Sequence, residues 1–135
     1  MSEQDIETFR RGMQAYNRRD VEAFLEVFDP SAEIHPLTLA MFGQETSVYR
    51  GHEGIRQFIR EVDEVLPQLH VDLMESRDLG ERIVAIGRLH ARGRTSGAEV
   101  ESPIAWVVEF KQGKVIRMRD YLDPQEALQA AGRSN

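Results

Sequence analysis

The chain contains no cysteine. Disulfides and thiolate-based metal sites are therefore excluded. Its four histidines are scattered, with no His-x-x-x-His spacing, and His52-Glu53 lacks the second histidine of a zincin helix, so no metal site is expected. Basic residues are also outnumbered. Seventeen Lys plus Arg stand against 23 Asp plus Glu, a net charge of −6, which leaves no cationic excess for a nucleic-acid backbone. No apolar run approaches the roughly 20 residues that span a bilayer, and the opening Met-Ser-Glu-Gln-Asp-Ile-Glu lacks the apolar core of a secretory signal. A cytoplasmic protein with no membrane and no nucleic-acid partner is the expectation. Gly-x-Gly-x-x-Gly, Walker and Gly-x-Ser-x-Gly patterns are all missing, so no nucleotide cofactor and no serine nucleophile is indicated.

What is present is an ordinary globular mixture. Hydrophobic residues make 41% and charged residues 30% of 135 residues, enough for one domain, residues 1–135, with a substantial core. The stretch Ile104–Asp123 organises it. Ile-Ala-Trp-Val-Val-Glu-Phe and Val-Ile-Arg-Met-Arg-Asp-Tyr-Leu-Asp flank Lys-Gln-Gly-Lys, the pattern of an antiparallel hairpin. In the second run Val115, Arg117, Arg119 and Tyr121 share one face and Ile116, Met118, Asp120 and Leu122 the other. Asp120 thus falls among apolar neighbours on the face expected to point inward. A carboxylate there must be paired, hydrogen-bonded or protonated.

Taken in order, Ile6, Phe9, Met13 and Tyr16 form one helical stripe, and Val21, Phe24, Leu25 and Phe28 a second, with Asp20 as cap and Asp29-Pro30 as terminator. Ala32–His35 reads as a short strand ended by Pro36. From Leu37 to Arg50 no period holds, yet Leu37, Leu39, Met41 and Phe42 are apolar, which predicts a loop that covers a pocket or meets a second subunit. Ile55, Phe58, Ile59, Val62 and Leu66 mark a third helix. Strands follow at Leu69–Arg77, Arg82–Arg94, Val100–Phe110 and Val115–Leu122, with turns at Asp78–Glu81 and Thr95–Ala98. The small residues Ala85, Gly87, Ala91 and Gly93 predict a bent strand. Asp123-Pro124-Gln125-Glu126 opens a closing helix. This order is α+β: a cone-shaped, curved sheet wrapped around N-terminal helices, whose mouth suits a small molecule.

Tyr49–Phe58 and Gly113–Asp123, with this element order, resemble the nuclear transport factor 2-like superfamily and its SnoaL-like branch over nearly the whole chain. The resemblance implies a cystatin-like α+β barrel and a cofactor-free isomerase, cyclase, dehydratase or hydrolase, or an adaptor of the same fold. The closing run is similar to that of limonene-epoxide hydrolase-type members, with Met118 in place of Trp and Leu122 in place of Phe. Their closing Asp matches Asp120 and their Arg matches Arg88. Their second Asp falls on His90, and no Tyr-x-Asn lies near Glu33–His35, so the set is incomplete. Against ketosteroid isomerases, a worked case of acid and base tuning, Pro103-Ile104 is followed by Ala105 where the hole Asp would stand, and His35 lies near the base position.

Val84, Ile86, Arg88 and His90 share one phase of their strand. If that phase lines the cone, Arg88 and His90 meet Asp120. Asp120 is then expected as base, His90 as acid–base partner and Arg88 as the cation that keeps Asp120 ionised. Tyr16, His35, Phe42, Phe58, Trp106 and Met118 are the candidate pocket residues. Trp106, Val108 and Phe110 share a phase too. If it faces outward it forms an apolar patch and a homodimer interface, so Trp106 is open between pocket and interface. The expected partner is a small apolar molecule. A non-catalytic ligand-binding or association domain is the alternative.

Overall fold

The computed structural model of the protein describes residues 2–45, 47–93, 97 and 99–132. Helix α1 (Ser2–Arg18) buries Phe9, Met13 and Tyr16, the stripe read from the sequence. Arg19 turns the chain with a φ of 58°. Helix α2 (Val21–Glu26) starts at Asp20, whose carboxylate accepts the Ala23 N–H at 3.2 Å, an N-cap. Strand β1 (Phe28–His35) follows at once. It is longer than the Ala32–His35 strand expected, and Asp29-Pro30 lies inside it instead of ending a helix. The β1 ladder slips in register between Phe28 and Glu33. Such an irregularity accommodates a proline, which has no N–H to give to a ladder. A short 3-10 turn (Leu39–Phe42), strand β2 (Tyr49–Arg50) and helix α3 (Gly51–Val65) complete the first half.

The second half is the antiparallel meander that was expected: β3 (His70–Asp78), β4 (Arg82–Arg92), β5 (Glu99–Lys111) and β6 (Lys114–Tyr121), then helix α4 (Pro124–Gly132). The turn at Thr95–Ala98 lies outside the described residues apart from Gly97, as does Arg94. Gln112 and Gly113 both take positive φ, 52° and 82°, the tight turn a two-residue hairpin needs. Asp123 accepts the Gln125 N–H at 2.9 Å and so caps α4. The sheet order is β2-β1-β6-β5-β4-β3, with β1 parallel to β6 and the other pairs antiparallel.

Gly87 explains the bend of the sheet. The β3–β4 register shifts between Leu73 and Glu75, and a Cβ on Gly87 would lie 2.2 Å from the Asp72 carbonyl oxygen. Only glycine lets the two backbones approach this closely.

Helices α1–α3 cover the inner face. There Ile83, Ala85 and Leu89 of β4, Ile104, Trp106 and Val108 of β5, and Met118 of β6 join Phe9, Met13, Tyr16 and Phe58 in one core. Helix α4 lies on the outer face, where Ala127 and Ala131 pack on Val84, Ala105 and Val107 in a second, smaller cluster. Two strand assignments are corrected by this. Trp106 is 2% exposed and Val108 fully buried, so they form no outward patch and Trp106 is no interface residue on that ground. Arg88 and His90 belong to the outer phase of β4. A register shift between Glu109 and Phe110 also brings Val115 into the core, and Leu122, just past the end of β6, is exposed. No helix among the described residues is long and apolar enough to cross a membrane.

Candidate functional site

The site begins with the strand register. Trp106 pairs with Asp120 and Val108 with Met118 across β5–β6, so indole, thioether and carboxylate all point inward from adjacent strands. On the other side of β6, His35 pairs with Arg119. The chain then leaves β1 through Pro36 and brings the backbone of Leu37 over Asp120. The Leu37 N–H donates to Asp120 Oδ2 at 3.0 Å. The other carboxylate oxygen, Oδ1, is buried with no hydrogen-bond partner among the described residues.

The space around Asp120 is lined by Met13, Tyr16, Phe24, Phe58, Val71, Leu89, Ile104, Trp106 and Met118, and by Pro36 and Thr38. About 20 Å3 is left free, room for about one water. Tyr16 and Phe58 stack at 6.5 Å with planes 9° apart, and Tyr16 tilts against Phe24 at 5.3 Å. The Arg19 guanidinium sits 4.9 Å from the centre of the Tyr16 ring and bonds Asp63 of α3 at 2.7 Å, which braces the α1–α2 corner against α3.

Burial decides the electrostatics. Asp120 is 5% exposed. Desolvation pushes its carboxyl up to about 7, opposed in part by the Leu37 hydrogen bond, because an ionised form in apolar surroundings loses the hydration that water would give it. Both protonation states are thus accessible near neutrality. The Tyr16 hydroxyl is held above its ordinary range, chiefly by burial, with Arg19 opposing the shift and the nearby Asp120 adding to it. Tyr16 is a neutral donor at any physiological pH.

Asp120, Tyr16, Phe58, Trp106 and Met118 line one cavity. Arg88 and His90 do not join them, which corrects the expected three-residue site. On the outer face Arg88 bonds Glu101 at 3.3 Å, and His90 lies between Asp72 (3.0 Å) and Glu101 (3.1 Å). Asp120 therefore has no Arg88 to hold it ionised. His35 points away as well, to Glu33 at 2.9 Å, and Phe42 packs on the core without lining the cavity. The sequence reading missed Met13, Phe24, Leu89, Ile104, Thr38 and the Leu37 N–H. The first two stand in plain helical stripes, where an apolar residue that lines a cavity looks the same as one that only packs. The Leu37 N–H carries no side-chain signal at all. Among the described residues no group of three or more His, Asp or Glu is arranged to hold a metal ion.

Comparison with known proteins agrees with the fold. The SnoaL-like domain family model matches residues 9–118. An NTF2-like protein of unknown function from Burkholderia pseudomallei K96243 is similar at 24% identity and a TM-score of 0.79, covering 93% of this chain and 95% of that one. TerC, crystallised with polyporic acid, is similar at 24% identity and 0.77, covering 96% and 98%. Bal32a, from a soil-derived mobile gene cassette, reaches 28% identity and 0.74, covering 98% of both chains. No functionally curated protein matches the chain.

Proposed function

This chain belongs to the SnoaL-like domain family, and from that footing we propose that it is a cofactor-independent enzyme doing acid–base chemistry on a small, largely apolar molecule. The reaction is of the isomerase, cyclase, dehydratase or hydrolase type, and Asp120 moves the proton. One observation carries the reading: a buried carboxyl group whose Oδ1 has no partner among the described residues, in a cavity walled mainly by aromatic, aliphatic and thioether groups. Native proteins seldom leave a buried polar atom without a partner, so Oδ1 calls for one that enters the cavity, a water or a polar group of a ligand. A carboxyl that titrates near 7 is matched to giving and taking protons at neutral pH. Tyr16 supplies a second, neutral donor on the same wall. That TerC is crystallised with polyporic acid supports a small organic ligand for the fold.

A second reading has its own support. The cavity has room for about one water, because Tyr16, Phe24, Phe58 and Trp106 fill the cone. A domain that binds a ligand or partner without transforming it is consistent with that filling. Asp120→Asn separates the two once a ligand is found by thermal-shift screening of small apolar compounds. The enzyme reading expects turnover to fall about a hundredfold or more with binding largely kept. Unchanged turnover in a folded variant, or binding with no turnover in the parent, favours the second reading.

A further inference from the structure

Two spaces meet at Asp120. One is the narrow apolar cavity, with about 20 Å3 free. The other is an open groove of about 460 Å3, lined by His35, Leu37, Val48, Arg119 and Tyr121 among others. Asp120 and Pro36 line both spaces. The partition between them is therefore Pro36, Leu37 and Thr38, with Thr38 on the cavity side, Leu37 on the groove side and Pro36 facing both. A cavity with about 20 Å3 free cannot hold an organic molecule as it stands, so part of its wall has to move.

The parts of the wall are not equally fixed. Behind it, β4 and β5 pair along their whole length from Arg82–Glu109 to Arg92–Glu99. Helix α3 presents Ile55 and Val62, both fully buried, to the core. The partition lies past the end of β1, and Pro36 has no N–H to anchor it. Among the described residues, Thr38 is buried, the Leu37 carbonyl accepts the Met41 N–H at 3.3 Å, and the Leu37 N–H on Asp120 Oδ2 is the hydrogen bond that ties the segment to the sheet.

We propose that Pro36–Thr38 is the door of the cavity, that ligands reach it from the open groove, and that the Leu37–Asp120 hydrogen bond is its latch. Opening the door takes the Leu37 N–H off the carboxylate. Both oxygens of Asp120 then face the incoming molecule. The proposal rests on the reading of this cavity as a ligand site, and it is tested without substrate, so its failure is separable from failure of the enzyme reading.

Trp106 is the sole tryptophan and lines the cavity. Its quenching by acrylamide reports how often the cavity opens. Leu37→Pro deletes the latch donor. Ile83→Val removes a core methylene at a residue that lines neither space. The door predicts that Leu37→Pro raises the quenching constant about threefold or more, while Ile83→Val leaves it near the parent value, as local opening does without global loosening. Equal quenching in a folded Leu37→Pro protein, or an equal rise in Ile83→Val, overturns it. If Leu37→Pro does not fold, amide exchange of the unsubstituted protein decides. The Leu37 N–H should then exchange about tenfold or more faster than those of Leu89 and Trp106. Exchange of all three together refutes the door.

Discussion

Trp106 and Asp120 stand directly opposite each other across the β5–β6 ladder, both on the inner face and both buried. Side chains in that relation are near neighbours. The single indole of the chain therefore sees the charge of the one carboxyl that burial pushes up to about 7. Trp106 fluorescence should titrate with a midpoint near that value, and Asp120→Asn should abolish the step. A flat response between pH 5 and 9 in the parent protein would mean that Asp120 does not ionise in this range.

Gly87 makes the cone bend, so its replacement tests the architecture apart from the site. An alanine there puts its Cβ 2.2 Å from the Asp72 carbonyl oxygen, and the β3 backbone has to shift. Gly87→Ala should cost about 1–3 kcal/mol, the usual range for overpacking, read as a lower midpoint in urea. A midpoint equal to the parent's would show that β3 is free to move and does not fix the bend.

The misplacement of His90 shows where the sequence stops being informative. Period two says which residues share a face, and it does not say which face is inside. In β4 both phases carry apolar residues, because α4 covers part of the outer face and gives Val84 a reason to be there. The discriminating signal was charge. The phase Ile83, Ala85, Gly87, Leu89, Ala91 has none, whereas the phase of Val84 and Ile86 also holds Arg88 and His90. The same test would have turned Trp106 inward, since Ile104, Trp106, Val108 and Phe110 are uncharged while Val107 shares its phase with Glu109. Asp120 was placed correctly because Met118 beside it is apolar. The helices, the hairpin and the Asp20 and Asp123 caps were legible because each rests on local chemistry. The Leu37 N–H was not, because a backbone donor has the same signature at every non-proline residue.

His90 also gives a prediction that the original three-residue site would not. It is half-exposed and its partners Asp72 and Glu101 are exposed, so its ion pairs are screened by water. His90→Ala should change stability by no more than about 1 kcal/mol and leave the Trp106 titration in place. Loss of that titration would reconnect His90 to the cavity and contradict the strand register.

The pH dependence of stability tests the burial of Asp120 directly. Unfolded, its carboxyl has the ordinary value of 3.8, and folded it is raised to about 7. Between those two values the folded chain holds the proton more tightly than the unfolded one. Stability from this group is therefore full below about 3.8, falls as pH rises through that window, and reaches its lowest level above about 7. The fall is on the order of 4 kcal/mol at most, at 1.36 kcal/mol per unit. Other acids act the opposite way. Glu33 and Asp72 are held below their ordinary range, each first by a hydrogen bond to histidine, and they lose stability as pH falls. Their contribution is the same in Asp120→Asn, whose side chain does not titrate. The stability of the parent minus that of Asp120→Asn, taken from urea unfolding at several pH values, should thus decline between pH 4.5 and 8 by a few kcal/mol. The absolute offset carries the cost of placing an amide where Oδ1 has no partner, so only the slope is diagnostic. A constant difference across that range would mean that Asp120 titrates alike in both states and is not the buried, proton-holding group on which the proposed chemistry depends.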